Sequence, residues 1–305
     1  MKRHTVFLLS TVLGLLLYGL TASSQDAGLS LRMMTYNIQH GAGMDDVIDL
    51  DRQAAVIRDA MPDVVGLQEV DSCVKRSGYK PQAALLGSKT GMYATFGGAI
   101  PLTGGKYGVA ILSKEKPLSH RNIPLPGNEK RTLLVCEFQE YVFACTHLDL
   151  DEDCRLASLP IILEEVARWE KPFFICGDWN DIPTSTLISR MRTKGFRMLS
   201  YVSNTSIYYT YPAGTPKKLI DYIASYGKVY NTIVSRKVLN EPEASDHRPV
   251  LVEVNFDGYT VGIQSPSSDG KATQNGDVYD LTGRRVENPS RRGLFIQNGR
   301  KFVVR

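Results

Sequence analysis

The run Phe173-Phe174-Ile175-Cys176 passes into Gly177-Asp178-Trp179-Asn180 with no polar side chain before Asp178. A short apolar run that stops at turn residues reads as a buried strand. A carboxylate and an amide therefore stand where a core strand opens into a loop. Residues i and i+2 of an extended chain project to one side, which would aim Asp178 and Asn180 at one spot. Taken alone, this is either a plain turn or the edge of a site. Other strand ends repeat the arrangement, and the repetition favours a site.

Residues 31–38 alternate as a strand, and residues 45–61 carry the apolar spacing of a helix closed by Pro62. A second strand follows at 64–70, a helix at 81–90, and a strand at 107–113. Residues 132–138 and 141–148 read as a hairpin. The pattern at 155–169 is helical, with Pro160 admissible only in a first turn. Thr184 is placed to cap a helix that runs to Lys194 and stops at Gly195. Strands at 219–223, with Asp221 inside, and at 249–256 complete the series. Strands outnumber helices in mixed order, which implies an α+β chain of two packed sheets with helices on the outer faces.

The two ends differ from this body. Lys2-Arg3-His4, the apolar residues 6–20 and Thr21-Ala22-Ser23-Ser24 form the pattern of a secretory signal, so residues 1–24 are expected to be cleaved. The rival reading, an uncleaved anchor, needs a longer apolar run. With cleavage the chain keeps no membrane span and is exported to the periplasm, the cell surface or the medium. The catalytic body is then 25–257. Residues 258–276 have the composition of a linker, and 277–305 hold three short β-like pieces, with Asn298-Gly299 as a hairpin cue. Of a formal charge of +4, residues 1–24 carry +2 and residues 271–305 carry +5, which leaves −3 in between. That body lacks the basic field of a protein that tracks a nucleic-acid backbone. Among five cysteines, Cys136, Cys145 and Cys176 lie in core-like runs. Cys73 and Cys154 lie in polar loops, and spacing leaves open whether they pair.

Polar residues recur at the strand ends: Asn37, Glu69, His147, Asp178 with Asn180, and Asp246-His247 ahead of a strand. Each has a plain account as a turn residue, a solvated edge or a hydrogen-bonded core histidine. Asp221, set among apolar neighbours, is harder to explain, because a buried carboxylate without a partner is costly. It should meet a cation or an N–H donor. No G-x-S-x-G elbow and no Walker loop is present. Carboxylates and amides are hard oxygen donors, suited to Mg²⁺, Mn²⁺ or Ca²⁺. Such an ion beside carboxylates and imidazoles suits hydrolysis of a phosphate ester.

Met34-Thr35-Tyr36-Asn37-Ile38, Leu67-Gln68-Glu69-Val70, Thr146-His147-Leu148-Asp149, Gly177-Asp178-Trp179-Asn180, Leu219-Ile220-Asp221-Tyr222-Ile223 and Ser245-Asp246-His247-Arg248-Pro249-Val250 resemble, in order, the motif set of the endonuclease/exonuclease/phosphatase superfamily. The resemblance spans roughly residues 31–256. It implies the DNase I-like four-layer sandwich and a divalent-metal-dependent phosphoesterase acting by in-line attack of water. It further implies that Glu69 is the principal metal ligand, with Asn37 close to the ion and Asp246 aiding it. Asp178 would orient the water, and Asn180 and His147 would hold the phosphate. His247 would contact the phosphoryl oxygens, with its tautomer fixed by Asp221. Gln39 stands where some branches carry an acid, which points to one ion rather than two. The tail 278–305 resembles the sorting tails of type IX secretion substrates, which would make the secretion machinery a partner.

Substrate choice falls to the loops. Arg76, Lys106, Tyr107 and Lys217 are the candidates to meet the phosphoester, and solvated loop surface is the alternative for each. The superfamily's substrates leave a nuclease acting on DNA or RNA and a sphingomyelinase-like lipid phosphodiesterase as alternatives. A surface binding module with a vestigial metal site is the non-enzymatic one.

Overall fold

The computed structural model describes residues 29–227, 231–256, 278–280, 283–286, 293–297 and 300–304. The expected signal segment and linker lie outside them, as do Asn298 and Gly299. In chain order the main strands are β1 (Leu29–Asn37), β2 (Val64–Ser72), β3 (Tyr93–Leu102), β4 (Gly105–Ser113), β5 (Ser119–Leu125) and β6 (Arg131–Glu137). They continue as β7 (Val142–His147), β8 (Phe173–Asp178), β9 (Phe196–Met198), β10 (Asp221–Tyr226), β11 (Asn231–Val238) and β12 (Val250–Phe256). The helices are α1 (Leu50–Ala60), α2 (Gln82–Thr90), α3 (Glu152–Val166) and α4 (Thr186–Thr193).

Two six-stranded sheets form, ordered β11-β12-β1-β2-β4-β3 and β5-β6-β7-β8-β10-β9. Each has one parallel pair at its centre, β1 with β2 and β7 with β8. A parallel pair needs a crossover, and α1 and α3 lie in those two connections. Alternation along the strands builds the layers. On β1, Leu31 and Met33 enter the core between the sheets, while Met34 and Tyr36 enter the core under α1 and α2. On β8, Phe174 and Cys176 face the other sheet, and Phe173 and Ile175 face the α3 and α4 side. The result is the expected four-layer sandwich. The sheets touch closely at Gly66, where a Cβ would stand 2.2 Å from Cys176 Sγ.

Several boundaries differ from the sequence reading. Helix α1 starts at Leu50 because the Asp49 side chain accepts from Asp51 N and caps it. Ser185, not Thr184, caps α4. Pro160 lies in the middle of α3, on its exposed face, where water can meet a carbonyl left without its N–H partner. Strands β3, β5, β9 and β11 were not anticipated. The first holds Gly97, Gly98 and Pro101, and the second is an exposed edge strand containing Pro124. All five cysteines are free. The tail's three β-like pieces form an antiparallel sheet of β13 (Val278–Asp280), β14 (Gly293–Gln297) and β15 (Arg300–Val304). No helix among the described residues is long and apolar enough to cross a membrane.

Candidate active site

The polar strand ends converge on one rim. Asn37, His147 and Asp178 close β1, β7 and β8. Strand β10 runs antiparallel to β8 with Asp221 opposite Asp178, so Asp221 opens its strand at the same rim rather than lying inside it. His247 precedes β12, which runs antiparallel to β1. Glu69 arrives differently. The pairing of β2 with β4 shifts between Leu67 and Val70, and Glu69 takes a left-handed φ of 59°. A bulge of this kind re-aims a side chain. Here it turns Glu69 into a cavity of about 660 Å³ lined also by Tyr107, Arg131, His147, Asp178, Asn180, Asp246 and His247.

Hydrogen bonds tie these groups across the two sheets. Asn37 Nδ2 donates to Glu69 Oε1 at 3.1 Å and to Asp178 Oδ2 at 3.2 Å. His247 Nδ1 lies 2.9 Å from Asp221 Oδ2, which also accepts from Thr210 Oγ1 at 2.5 Å. The donor that Asp221 required is thus His247, with Thr210 added. His247 Nε2 faces Asp178 Oδ2 at 3.6 Å, and Tyr211 packs against its ring at 4.8 Å between centroids. Asp178 and Asn180 do meet, but not as an extended chain. Asn180 adopts φ 50°, and its N–H donates to Asp178 Oδ1 at 2.9 Å. The Asn180 Nδ2 donates to Leu148 O at 3.0 Å and stands 3.0 Å from His147 Nε2. Buried Arg155 pairs with Asp181 at 3.1 Å and donates to the Asp149 and Leu150 carbonyls, which fastens the Asn180 loop to the His147 loop.

The electrostatics divide the groups. Burial alone would raise Glu69, but His40, His147 and Asn37 outweigh it and hold the carboxyl at about 2. Burial lifts Asp178 to about 7 against the pull of His247, and it raises Asp246 as well. Burial would lower His247, yet Asp221 and Asp178 outweigh it and raise the ring to about 10. Burial and the Arg131 charge push His147 down to about 3. Near neutral pH, His247 is therefore a cation and His147 a neutral ring.

A cation has a place here. Asp178, Asp221 and His247 bring one ligand atom each within 4.8 Å of one another. Asp221 Oδ2 is already taken by His247 and Thr210, while Asp178 faces His247 Nε2 at 3.6 Å without a hydrogen bond, so Asp221 serves the ring first. Glu69 and Asp246 open on the same cavity, and Glu69 stays ionised despite burial. A carboxylate pair of this kind suits a hard divalent ion. The Asn37 amide is oriented by the backbone beside it. Its Oδ1 accepts the Gln39 backbone N–H at 3.0 Å, and a backbone N–H can only donate, which fixes the amide's orientation. Asn37 thus braces Glu69 as a donor, and its oxygen keeps a second lone pair beside the site.

Of the loop candidates, only Tyr107 lines the cavity. Arg76 is turned onto Asp71 by two hydrogen bonds of 2.8 and 2.9 Å, because a buried carboxylate outcompetes the open cleft for it. Lys106 lines a separate shallow surface with Gly104 and Gly105. Lys217 is not part of the cavity's lining, and its neighbour Lys218 is. Sequence reasoning missed Arg131, Glu129 and His40. Arg131 opens a strand of apolar residues, an oddity that could have marked it. It pairs with Glu129 at 3.0 Å.

Residues 34–247 match the Endonuclease/Exonuclease/phosphatase family. Among curated protein sequences there is no match. Similar solved structures include an endonuclease/exonuclease/phosphatase from Beutenbergia cavernae, 22% identical over 90% of this chain and 92% of that one, with a TM-score of 0.64. A mannosyl-6-phosphatase from Bacteroides thetaiotaomicron is 17% identical over 73% of this chain and 99% of its own, with a TM-score of 0.59. The human Nocturnin catalytic domain with bound sulfate is 21% identical over 74% of this chain and 93% of its own, with a TM-score of 0.57.

Proposed function

Because the chain belongs to the endonuclease/exonuclease/phosphatase family, we propose that it is a divalent-metal-dependent phosphoesterase acting on a small or exposed phosphate ester. The observation that carries this reading is the meeting of Glu69, Asn37, Asp178, Asp221 and His247 around one cavity. A bound Mg²⁺ or Mn²⁺, held by Glu69 and Asp246, would offset phosphoryl charge. Asp178, raised to about 7, is suited to orient a water and take its proton at neutral pH. His247, held protonated by Asp221, places a positive charge where the transition state gathers negative charge. Asn180 fixes the neutral His147 ring beside them.

The lining supports a compact substrate body. Tyr107, Tyr211, Leu150, Ile182 and Ile220 give the cavity apolar walls, and Leu150 and Ile182 stand 76% and 44% exposed at its mouth. Besides the charged His247 ring, the lining cations are Arg131, already paired with Glu129, and Lys218. That is a poor surface for a polyanion and a fair one for a single phosphate on a neutral ring or alcohol, the chemical type that the Bacteroides phosphatase's name describes. The same proposal has the protein exported, on the signal-like pattern of residues 1–24 and the sorting-like tail. The test is a panel of bis(p-nitrophenyl) phosphate, sugar phosphates, nucleotides, single- and double-stranded DNA, RNA and sphingomyelin, each with Mg²⁺, Mn²⁺ or EDTA. Metal-dependent turnover of small esters is expected. Turnover that survives EDTA, or none across the panel, would sink the proposal.

A further inference from the structure

Next to Glu69 the backbone does something unusual for two residues in succession. Gln39 and His40 both take φ of 45°, a left-handed conformation that residues other than Gly adopt only when their surroundings hold them there. The restraints are specific. Gln39 N–H is taken by Asn37 Oδ1 at 3.0 Å. The His40 carbonyl accepts from Gln82 Nε2 at 2.6 Å, and Gln82 Oε1 accepts from Asp71 N at 2.9 Å, two residues beyond Glu69. A Cβ on Gly41 would come within 2.9 Å of both Gln82 and Leu50, so the turn is packed as tightly as it is bonded. These contacts lock the His40 turn to the strand that carries Glu69.

The turn delivers the His40 ring to that site. Its Nδ1 is buried without a hydrogen-bond partner and stands 4.0 Å from Glu69 Oε2. That is too long for a hydrogen bond. Ligand atoms each about 2.1 Å from one ion stand roughly 3.0–3.4 Å apart, so a closing shift of under about 1 Å would let both donors share it. We propose that His40 Nδ1 and Glu69 Oε2 bind the same cation, giving a mixed nitrogen and oxygen site that takes Mn²⁺ in preference to Mg²⁺. Imidazole is a better ligand for first-row transition ions than for Mg²⁺. The inference rests on the metal-dependent reading above.

The test uses the full chain and Mn²⁺ without substrate. Electron spin-echo spectra of the Mn²⁺ complex should carry modulation from a coordinated ¹⁴N, and His40→Asn should remove it. Asn is chosen because it tolerates the left-handed backbone, and unchanged circular dichroism of the metal-free variant checks the fold. Calorimetry should show Mn²⁺ affinity falling about tenfold or more in His40→Asn, with Mg²⁺ affinity much less affected. No ¹⁴N signal in the wild type, or a signal and affinity that persist in His40→Asn, would overturn the assignment. Turnover of phosphoesters without the signal rejects His40 alone, whereas the signal without turnover rejects the phosphoesterase reading and keeps the site.

Discussion

His247, which leads into a strand of one sheet, places Nδ1 2.9 Å from Asp221, which opens a strand of the other. The ring rises from an ordinary 6.5 to about 10, because Asp221 and Asp178 together outweigh burial. A histidine raised in the folded state contributes stability that is complete below about 6.5, declines as pH rises, and is gone above about 10. The alkaline limb of kcat/KM should therefore stand near 10 in the wild type. In Asp221→Asn it should move down by about 1–3 pH units. A pH–rate profile of both proteins decides this, and coincident alkaline limbs would refute the coupling.

Asp178→Asn keeps the side chain's shape and removes its charge. Its kcat should fall by about 10²–10⁴-fold, with the far-ultraviolet circular dichroism unchanged. Wild-type turnover in that variant would remove Asp178 from the reaction.

Lys217 and Lys218 are adjacent, yet only Lys218 lines the cavity. Lys218→Ala should raise KM for an anionic ester and leave kcat nearly constant, while Lys217→Ala should match the wild type. Equal effects from the two would show that charge near the loop, not position, is what matters.

Arg155 and Asp181 form a buried pair at 3.1 Å. Arg155→Met leaves the Asp181 carboxylate buried without its cation, which costs about 3–5 kcal/mol. Urea unfolding should report the loss, and adding Asp181→Leu should restore much of it. A single variant as stable as the wild type would contradict the packing described.

Gly66 lies where a Cβ would meet Cys176 Sγ at 2.2 Å and Cys145 Sγ at 2.9 Å. Gly66→Ala should lower stability by about 1–3 kcal/mol through overpacking. Thermal unfolding checks this, and an unchanged midpoint would mean that the two sheets separate more easily than their contact suggests.

The strand ends were legible because an apolar run that stops at a polar residue is a local pattern. Asn37, His147 and Asp178 needed nothing more, and the demand of Asp221 for a donor followed from the cost of burying charge. What stayed hidden depends on backbone detours or distant neighbours. Glu69 reaches the cavity through a bulge, and Asn180 through a left-handed turn. Nothing in their spacing announces either. Arg76 looked free until the fold set buried Asp71 beside it. The choice between Lys217 and Lys218 depends on the course of one loop. Strands β3 and β5 lacked a clear alternation because one is rich in glycine and the other is an exposed edge.

The groups proposed to act on the ester are divided between the two sheets: Asn37 and Glu69 belong to one, and His147, Asp178 and Asp221 to the other. Neither half contains a complete set of reagents. On the proposed reading, activity would report on the docking of two slabs, and a loosened state that kept every strand but let the slabs drift apart would be chemically silent while still looking folded to a backbone probe.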